Sequence, residues 1–438
     1  MQESNDLTRG RVSARLLGFF FPMLLTNTLQ QAYTFVDTVI VGKGIGDQAL
    51  GAVGNLSSLS LLITGFLMGV TNGFSISIAQ CFGAGNHALL RKYTAHSLRL
   101  CATITAALTL LSLVLLRPLL GFMQTSPALM RDSLVYGYIY FGGLAVNAAY
   151  SLCSGILRAL GDSQTPFKAI LIASAANILL DCLLIFGLRM GVEGAAIATV
   201  LAQGISVLVC LEKLRRSSLL RLQRSDFTPD RTADFSLLAN GVPAACMNSV
   251  TAVGCMVVQG YVNGMGSAFT SAYSACSRYL NLFMLPSVTA GFSLSAFVSQ
   301  NKGAGHIQRI REGVRTGAGI AFVSWLILGG AMFFLPRQLA GLMLTGADTI
   351  ALAEEFLRLC GITLIFLNLL FVFRCSVQGL GRPMVPMCSG ILEMALRIPV
   401  IVLLIARLGF AATAWAESIA WLGALALNWI AYIIYIRQ

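Results

Sequence analysis

Three features predict an all-α membrane protein with twelve transmembrane helices in two six-helix lobes. They are a series of apolar runs of span length, a one-sided distribution of basic residues, and an internal repeat at an offset near 220 residues. Of 438 residues, 56% are hydrophobic and 11% are charged, whereas soluble chains carry roughly 25% charged residues. A hydrocarbon core about 30 Å thick needs about 20 apolar residues per helix. Runs of that kind place spans near 16–42, 49–79, 94–116, 132–157, 169–188, 193–212, 236–261, 268–299, 316–335, 350–377, 385–406 and 411–436. The intervening segments are short except 213–235, which is rich in Arg, Ser and Asp. It reads as a cytoplasmic linker between an N-terminal lobe, 1–212, and a C-terminal lobe, 236–438.

Orientation follows from the 30 Lys and Arg residues. With a cytoplasmic N-terminus, 21 fall on the inside, Arg158 and Arg374 among them. Lys43, Arg117, Arg131, Arg189, Arg337 and Arg407 fall outside, and Arg278, Arg358 and Arg397 lie within spans. This bias puts both termini in the cytoplasm and requires an even number of spans. The formal charge of +12 is thereby read as a topology signal, not as a nucleic-acid footprint. The polar N-terminus lacks a cleavable signal pattern, so the first span is expected to target the chain.

The eleven cysteines include no CxxC pair and fall mostly in apolar stretches, as at Cys101, Cys182, Cys210, Cys255 and Cys388. They read as small packing residues, and His87, His96 and His306, in or beside loops, share no ligand spacing. GKG at 42–44 lacks the remaining residues of a phosphate loop. No cofactor and no ATP site is expected, and the chain reads as no enzyme.

The two halves align repeatedly on one diagonal. QCFGAG at 80–85 answers QNKGAG at 300–305, and LGDSQTP at 160–166 answers LGRPMVP at 380–386. Gly44 and Gly46 match Gly264 and Gly266, and Pro22 pairs with Pro243. Six spans per half give both halves the same orientation, so a pseudo-two-fold axis along the membrane normal must relate them, with a cleft between. Transporters use such repeats for alternating access around a midplane site; the competing reading is a duplicated, enlarged bundle.

Acids within spans are costly and point to function. Asp37 in span 1 shares a face with Gln30, Tyr33 and Thr34, and Asp181 in span 5 follows Asn177 by one turn. Span 6 adds Thr199 and Gln203. Such oxygens suit either a titrating proton or a bound Na⁺; the opposing reading is a pair of acids snorkelling from span ends. Pro22 removes a hydrogen bond from span 1 and marks a candidate hinge, an equally common ornament of membrane helices. Tyr136, Tyr140 and Tyr150 in span 4, with Asn147, read either as a cavity for flat organic cations or as packing. Arg278 reads as lining the cleft or binding carbonyls, and Glu393–Arg397 as a structural pair one turn apart.

DTVIVGKGIG at 37–46, the paired QxxGAG stretches, SGILRALGDSQTP at 154–166 and NILLD at 177–181 carry a family resemblance. Over essentially all twelve spans the chain resembles the multidrug and toxic compound extrusion (MATE) family. That family sits within the multidrug/oligosaccharidyl-lipid/polysaccharide flippase superfamily. The resemblance implies a V-shaped pair of lobes, drug/cation antiport, and a cation site at Asp37, Asn177, Asp181 and Thr199, with H⁺ or Na⁺ as coupling ion. Family acids of spans 7 and 10 are missing, which directs coupling to the N-terminal lobe. The expectation is a monomeric exporter of amphipathic organic cations in a bacterial inner (plasma) membrane, in contact with lipid. A flippase for a lipid-linked saccharide is the alternative, and a non-transporting membrane receptor a third reading.

Overall fold

A computed structural model describes residues 6–123 and 125–437, and its regular structure is helical throughout. Along the chain run α1 (Val12–Gly44), α2 (Asp47–Gly83), α3 (His87–Phe122), α4 (Pro127–Gly142), α5 (Leu144–Ala159), α6 (Gln164–Asp181), α7 (Val192–Arg215) and α8 (Arg231–Asn263). They are followed by α9 (Ser267–Phe283), α10 (Leu285–Gly303), α11 (Ile307–Ser324), α12 (Gly330–Phe334), α13 (Pro336–Met343), α14 (Ala347–Gly379), α15 (Met384–Leu408) and α16 (Ala411–Tyr435). Eleven stretches are long and apolar enough to cross a membrane, and α4 with α5, bent by 42° between them, makes a twelfth. Each of the twelve matches one of the expected apolar runs to within a residue or extends past it, and most helices run a turn or more beyond, because polar side chains at the ends remain good helix formers.

At the bend between α4 and α5, a Cβ at Gly143 would lie 2.5 Å from a Val200 methyl, so α7 approaches the backbone closely where glycine stands. The repeat is also visible in the backbone. Gly85 and Gly305 end the two QxxGAG stretches at φ +68° and +75°, and Gly161 and Gly381 in the two LG turns lie at +84° and +76°. These left-handed conformations favour glycine, so the paired glycines close equivalent turns.

Contacts divide the chain into two compact units, one built on Phe21–Ala245 and the other on Leu7–Phe20 with Cys246–Gln438. These are not the continuous stretches 1–212 and 236–438. The opening turns of α1 belong with the C-terminal helices, and residues 231–245 of α8 belong with the N-terminal ones. Both helices change unit within three residues of a proline, Pro22 and Pro243.

In the first unit, α2 carries Gly65, Gly69 and Gly73 at four-residue spacing, the small-residue pattern that lets membrane helices approach closely. A Cβ at Gly69 would come within 2.4 Å of Ala245 Cα, and one at Gly73 within 2.4 Å of the Asn240 carbonyl oxygen. Asn240 Nδ2 then donates to Ser77 Oγ at 2.9 Å. The linker folds into two short 3₁₀ turns, Ser218–Leu220 and Arg224–Phe227, and docks on α3 through charge. Arg91 meets Asp226, Lys92 meets Asp230, and Arg99 and His96 meet Asp234. His96 Nε2 also faces the Thr228 carbonyl at 3.0 Å. Expected beside a loop, His96 is instead buried within α3. The Lys92 ammonium beside Asp230, with backbone N–H groups of Thr232 and Ala233, holds its carboxyl down at about 2. That contact therefore persists until the pH falls through that value.

In the second unit the N-terminal segment is pinned by the QNKGAG stretch. Leu7 N–H donates to Gln300 Oε1 at 3.1 Å, and Arg309 donates to the carbonyls of Gly10 at 2.7 Å and Leu7 at 3.1 Å. Deeper in the unit lies a buried ionic cluster. Arg374 donates to Glu393 at 2.7 Å, and Arg397 donates to Glu393 at 2.9 Å and to Glu417 at 2.8 Å. The expected Glu393–Arg397 pair is half of this cluster. Arg374, counted on the cytoplasmic side although it falls within the expected span 350–377, supplies another member because it is buried within α14. Of the cysteines expected to pack inside, Cys101 and Cys210 do, whereas Cys182, Cys255 and Cys388 are exposed.

Two stability outcomes follow from this packing. Gly73→Leu should drive α2 and α8 apart and lower stability by about 1–3 kcal/mol, the usual cost of overpacking, read as a lower melting temperature of the purified protein. Glu393→Ala leaves two buried arginines short of a carboxylate and should cost about 3–5 kcal/mol. A melting temperature unchanged by the Glu393 substitution would remove the cluster from the fold's support.

Candidate functional site

The first unit encloses a cavity of about 240 Å³, within which five helices align polar faces. From α1 come Thr26, Asn27, Gln30 and Tyr33, and from α2 Thr64, Met68, Thr71 and Asn72. Residues Asn147, Tyr150, Ser151, Ser154 and Arg158 form a stripe along α5, three or four residues apart, one above another on a single helix face. Ser174 and Asn177 contribute from α6, and Thr199, Gln203 and Ser206 from α7; Tyr140 enters from α4. Much of the hydroxyl complement is satisfied within its own helix: Thr26 donates to the Pro22 carbonyl at 2.8 Å and Thr199 to Ala195 at 3.0 Å. That leaves the Thr199 oxygen lone pairs free to accept or to ligate.

One turn past Tyr33 and Asn177 stand the two aspartates. Asp181 is 0% exposed and Asn177 1%, while Asp37 is half-buried. The Asp37 and Asp181 carboxyl groups are electrostatic neighbours. No group among the described residues donates to Asp37 Oδ1 or to either Asp181 oxygen, and both polar atoms of the Asn177 amide are also unpartnered. Two carboxyl groups can face each other only if a proton or another cation lies between them, because unit charges 4 Å apart repel by roughly 4 kcal/mol at an effective dielectric of 20. The oxygens of Asp37, Asn177, Asp181 and Thr199 are hard donors of the kind alkali and alkaline-earth ions take. Among the described residues there is no cluster of three or more His, Cys, Asp or Glu, so a transition-metal centre has no support.

Of the residues singled out from sequence, the structure brings Gln30, Tyr33, Tyr140, Asn147, Tyr150, Asn177 and Thr199 to this cavity. Tyr136 is not among its lining residues. It is buried in the packing beside it, its ring stacked on Tyr140 at 6.0 Å. Tyr136 and Tyr150 sit on opposite sides of the bend at Gly143, so their spacing along one straight helix was misleading. Arg278 lies elsewhere, exposed on α9 of the second unit. Arg158 was missed: the tally of basic residues placed it in a loop, whereas α5 runs through it and points it into the cavity. The stripe of polar residues leading to it along α5 was the signal available.

Comparison with known proteins agrees with this architecture. The MatE family model matches residues 22–183 and again 243–403, two segments separated by the offset of the internal repeat. The probable multidrug resistance protein YpnP of Bacillus subtilis is 28% identical over 410 residues, covering 92% of this chain and 91% of the relative. An FAD transporter of Shewanella oneidensis is 26% identical over 422 residues, 93% of this chain and 90% of that protein. Among solved structures, a MATE protein crystallised with MaL6 superposes with a TM-score of 0.92 at 20% identity, covering 100% of this chain and 99% of that one. With the family model matching both halves, twelve spans in two units and an interior polar cavity, the chain belongs to the MatE family of multidrug efflux transporters.

Proposed function

We propose that this protein is a secondary active exporter that exchanges H⁺ or Na⁺ at the Asp37–Asp181 pair for an organic substrate. The observation that carries the reading is the pairing of the buried Asp181 with the half-buried Asp37, with no donor among the described residues to Asp37 Oδ1 or to either Asp181 oxygen. Such a pair is stable when it holds a cation and strained when it does not, so occupancy and conformation are coupled. The absence of a phosphate-loop motif in the sequence leaves an ion gradient as the energy source within this chain.

Coupling runs through α1, which carries Asp37 and the cavity residues Tyr33, Gln30 and Asn27 on successive turns. A cation arriving at Asp37 changes the charge one turn from Tyr33 and the cavity wall. Pro22, below that stretch, removes one backbone hydrogen bond and gives α1 a place to bend. Alternating access between the two repeats then moves the loaded site across the bilayer. The rings of Tyr33, Tyr140 and Tyr150 offer faces to a flat cationic substrate, the class of compound expected for a multidrug exporter. Its relatives are bacterial, and a bacterial cytoplasmic membrane with both termini inside fits the distribution of basic residues.

In proteoliposomes with imposed gradients, Asp37→Asn and Asp181→Asn should each reduce gradient-driven dye efflux by more than about tenfold, the amount corresponding to 1.4 kcal/mol, while still inserting into the membrane. Separate H⁺ and Na⁺ gradients identify the ion. Wild-type rates in both variants would take the pair out of the mechanism.

A further inference from the structure

Arg158 is the basic residue among those lining the cavity, and its surroundings differ from those of the two buried arginines of the second unit. In the second unit, Arg374 and Arg397 are each neutralised by glutamates. Arg158 is half-buried, and no ion pair or side-chain hydrogen bond engages its guanidinium among the described residues. Its nearest electrostatic neighbours are Tyr150 and Cys210, neither of which carries a charge at neutral pH. The carboxylate closest in sequence, Asp162, is occupied. Its Oδ1 accepts from the backbone N–H groups of Gln164 at 3.1 Å and Thr165 at 3.0 Å, and its Oδ2 from the Thr165 hydroxyl at 2.7 Å. An arginine keeps its charge in any protein environment and presents a planar fork of donors matched to a carboxylate.

Its position gives that charge a purpose. Arg158 closes α5 just before the turn into α6, so it sits beside the start of α6, whereas Asp181 ends that helix. Seventeen residues at 1.5 Å each put about 25 Å between the two ends of α6. The cavity therefore lies between a basic end and an acidic end, with tyrosines and amides along the walls. A purely cationic molecule would complement one end and leave the arginine unmatched.

We propose that Arg158 is an anion-binding subsite, and that the cavity takes compact aromatic carboxylates, including zwitterions, with the carboxylate paired to its guanidinium and the ring against Tyr33 and Tyr150. The proposal rests on the cavity being the substrate site and adds the substrate's charge pattern. The volume of about 240 Å³ suits a fused two-ring compound, just below the usual range for drug-sized pockets of about 300–1,000 Å³.

The test uses two probes with one ring system, 7-(diethylamino)coumarin-3-carboxylate and its methyl ester, titrated by fluorescence against the full-length protein in lipid nanodiscs. Wild type should bind the carboxylate about tenfold or more tightly than the ester, the difference that a charge-assisted pair gives in a desolvated site. Arg158→Gln should weaken the carboxylate to the level of the ester and leave the ester unchanged. Equal affinities in wild type, or an unaltered preference in a monodisperse Arg158→Gln protein, overturns the subsite. The wild-type comparison decides the matter even if the variant does not fold. An arginine that only braces the α5–α6 turn would lower the melting temperature and leave the preference intact. Failure of the exporter reading looks different, because it removes the effect of Asp37→Asn on efflux without touching the carboxylate-to-ester ratio.

Discussion

Within a bilayer no water is available to satisfy polar groups, so each must find a partner inside the protein. The two units meet that constraint in opposite ways. In the second, two arginines and two glutamates on α14, α15 and α16 form a network of zero net charge, in which Arg374 Nε and Arg397 Nε alone lack partners among the described residues. In the first, Asp37 and Asp181 face one another without a donor, Asn177 is unpartnered beside them, and Arg158 stands unpaired at the far end of α6. A charge-neutral network has little to gain from a visiting ion, whereas two facing carboxyl groups do. This asymmetry between the two halves is what supports placing the proposed ion exchange in the first unit.

The same asymmetry sharpens the division of labour within the cavity. Hydroxyls on its walls are largely satisfied by their own helices, as at Thr26 and Thr199, so they cost little when no substrate is bound. Besides the Ser174 hydroxyl, the groups left without protein partners among the described residues are the facing carboxyl groups and the Asn177 amide. These are the groups whose unmet needs are largest in a low dielectric, and they are where binding free energy is available to shift a conformational equilibrium.

The spans and the repeat were legible because both rest on long-range averages. Twenty apolar residues define a helix whatever its ends do, and paired glycines such as Gly85 and Gly305 keep a conformation that other residues avoid. Asp37 and Asp181 were legible as costly residues, and helical spacing put Asn177 and Tyr33 beside them. Helix ends were not legible. Arg158 falls where an apolar run stops, and a tally of basic residues by side cannot distinguish a loop from a helix that continues for another turn. Tyr136 was misassigned because the span is broken at Gly143, between it and Tyr150, and Arg278 because depth along a helix does not say which face it occupies. The exchange of helix halves between units was also hidden, although Gly65, Gly69 and Gly73 announced a close-packed face.

That exchange sets the order in which the molecule can be completed during synthesis. The glycine face of α2 is covered by residues 240–245, which the ribosome makes about 170 residues after Gly73. The first unit therefore waits, unfinished, until the opening of the seventh span has been threaded into the membrane.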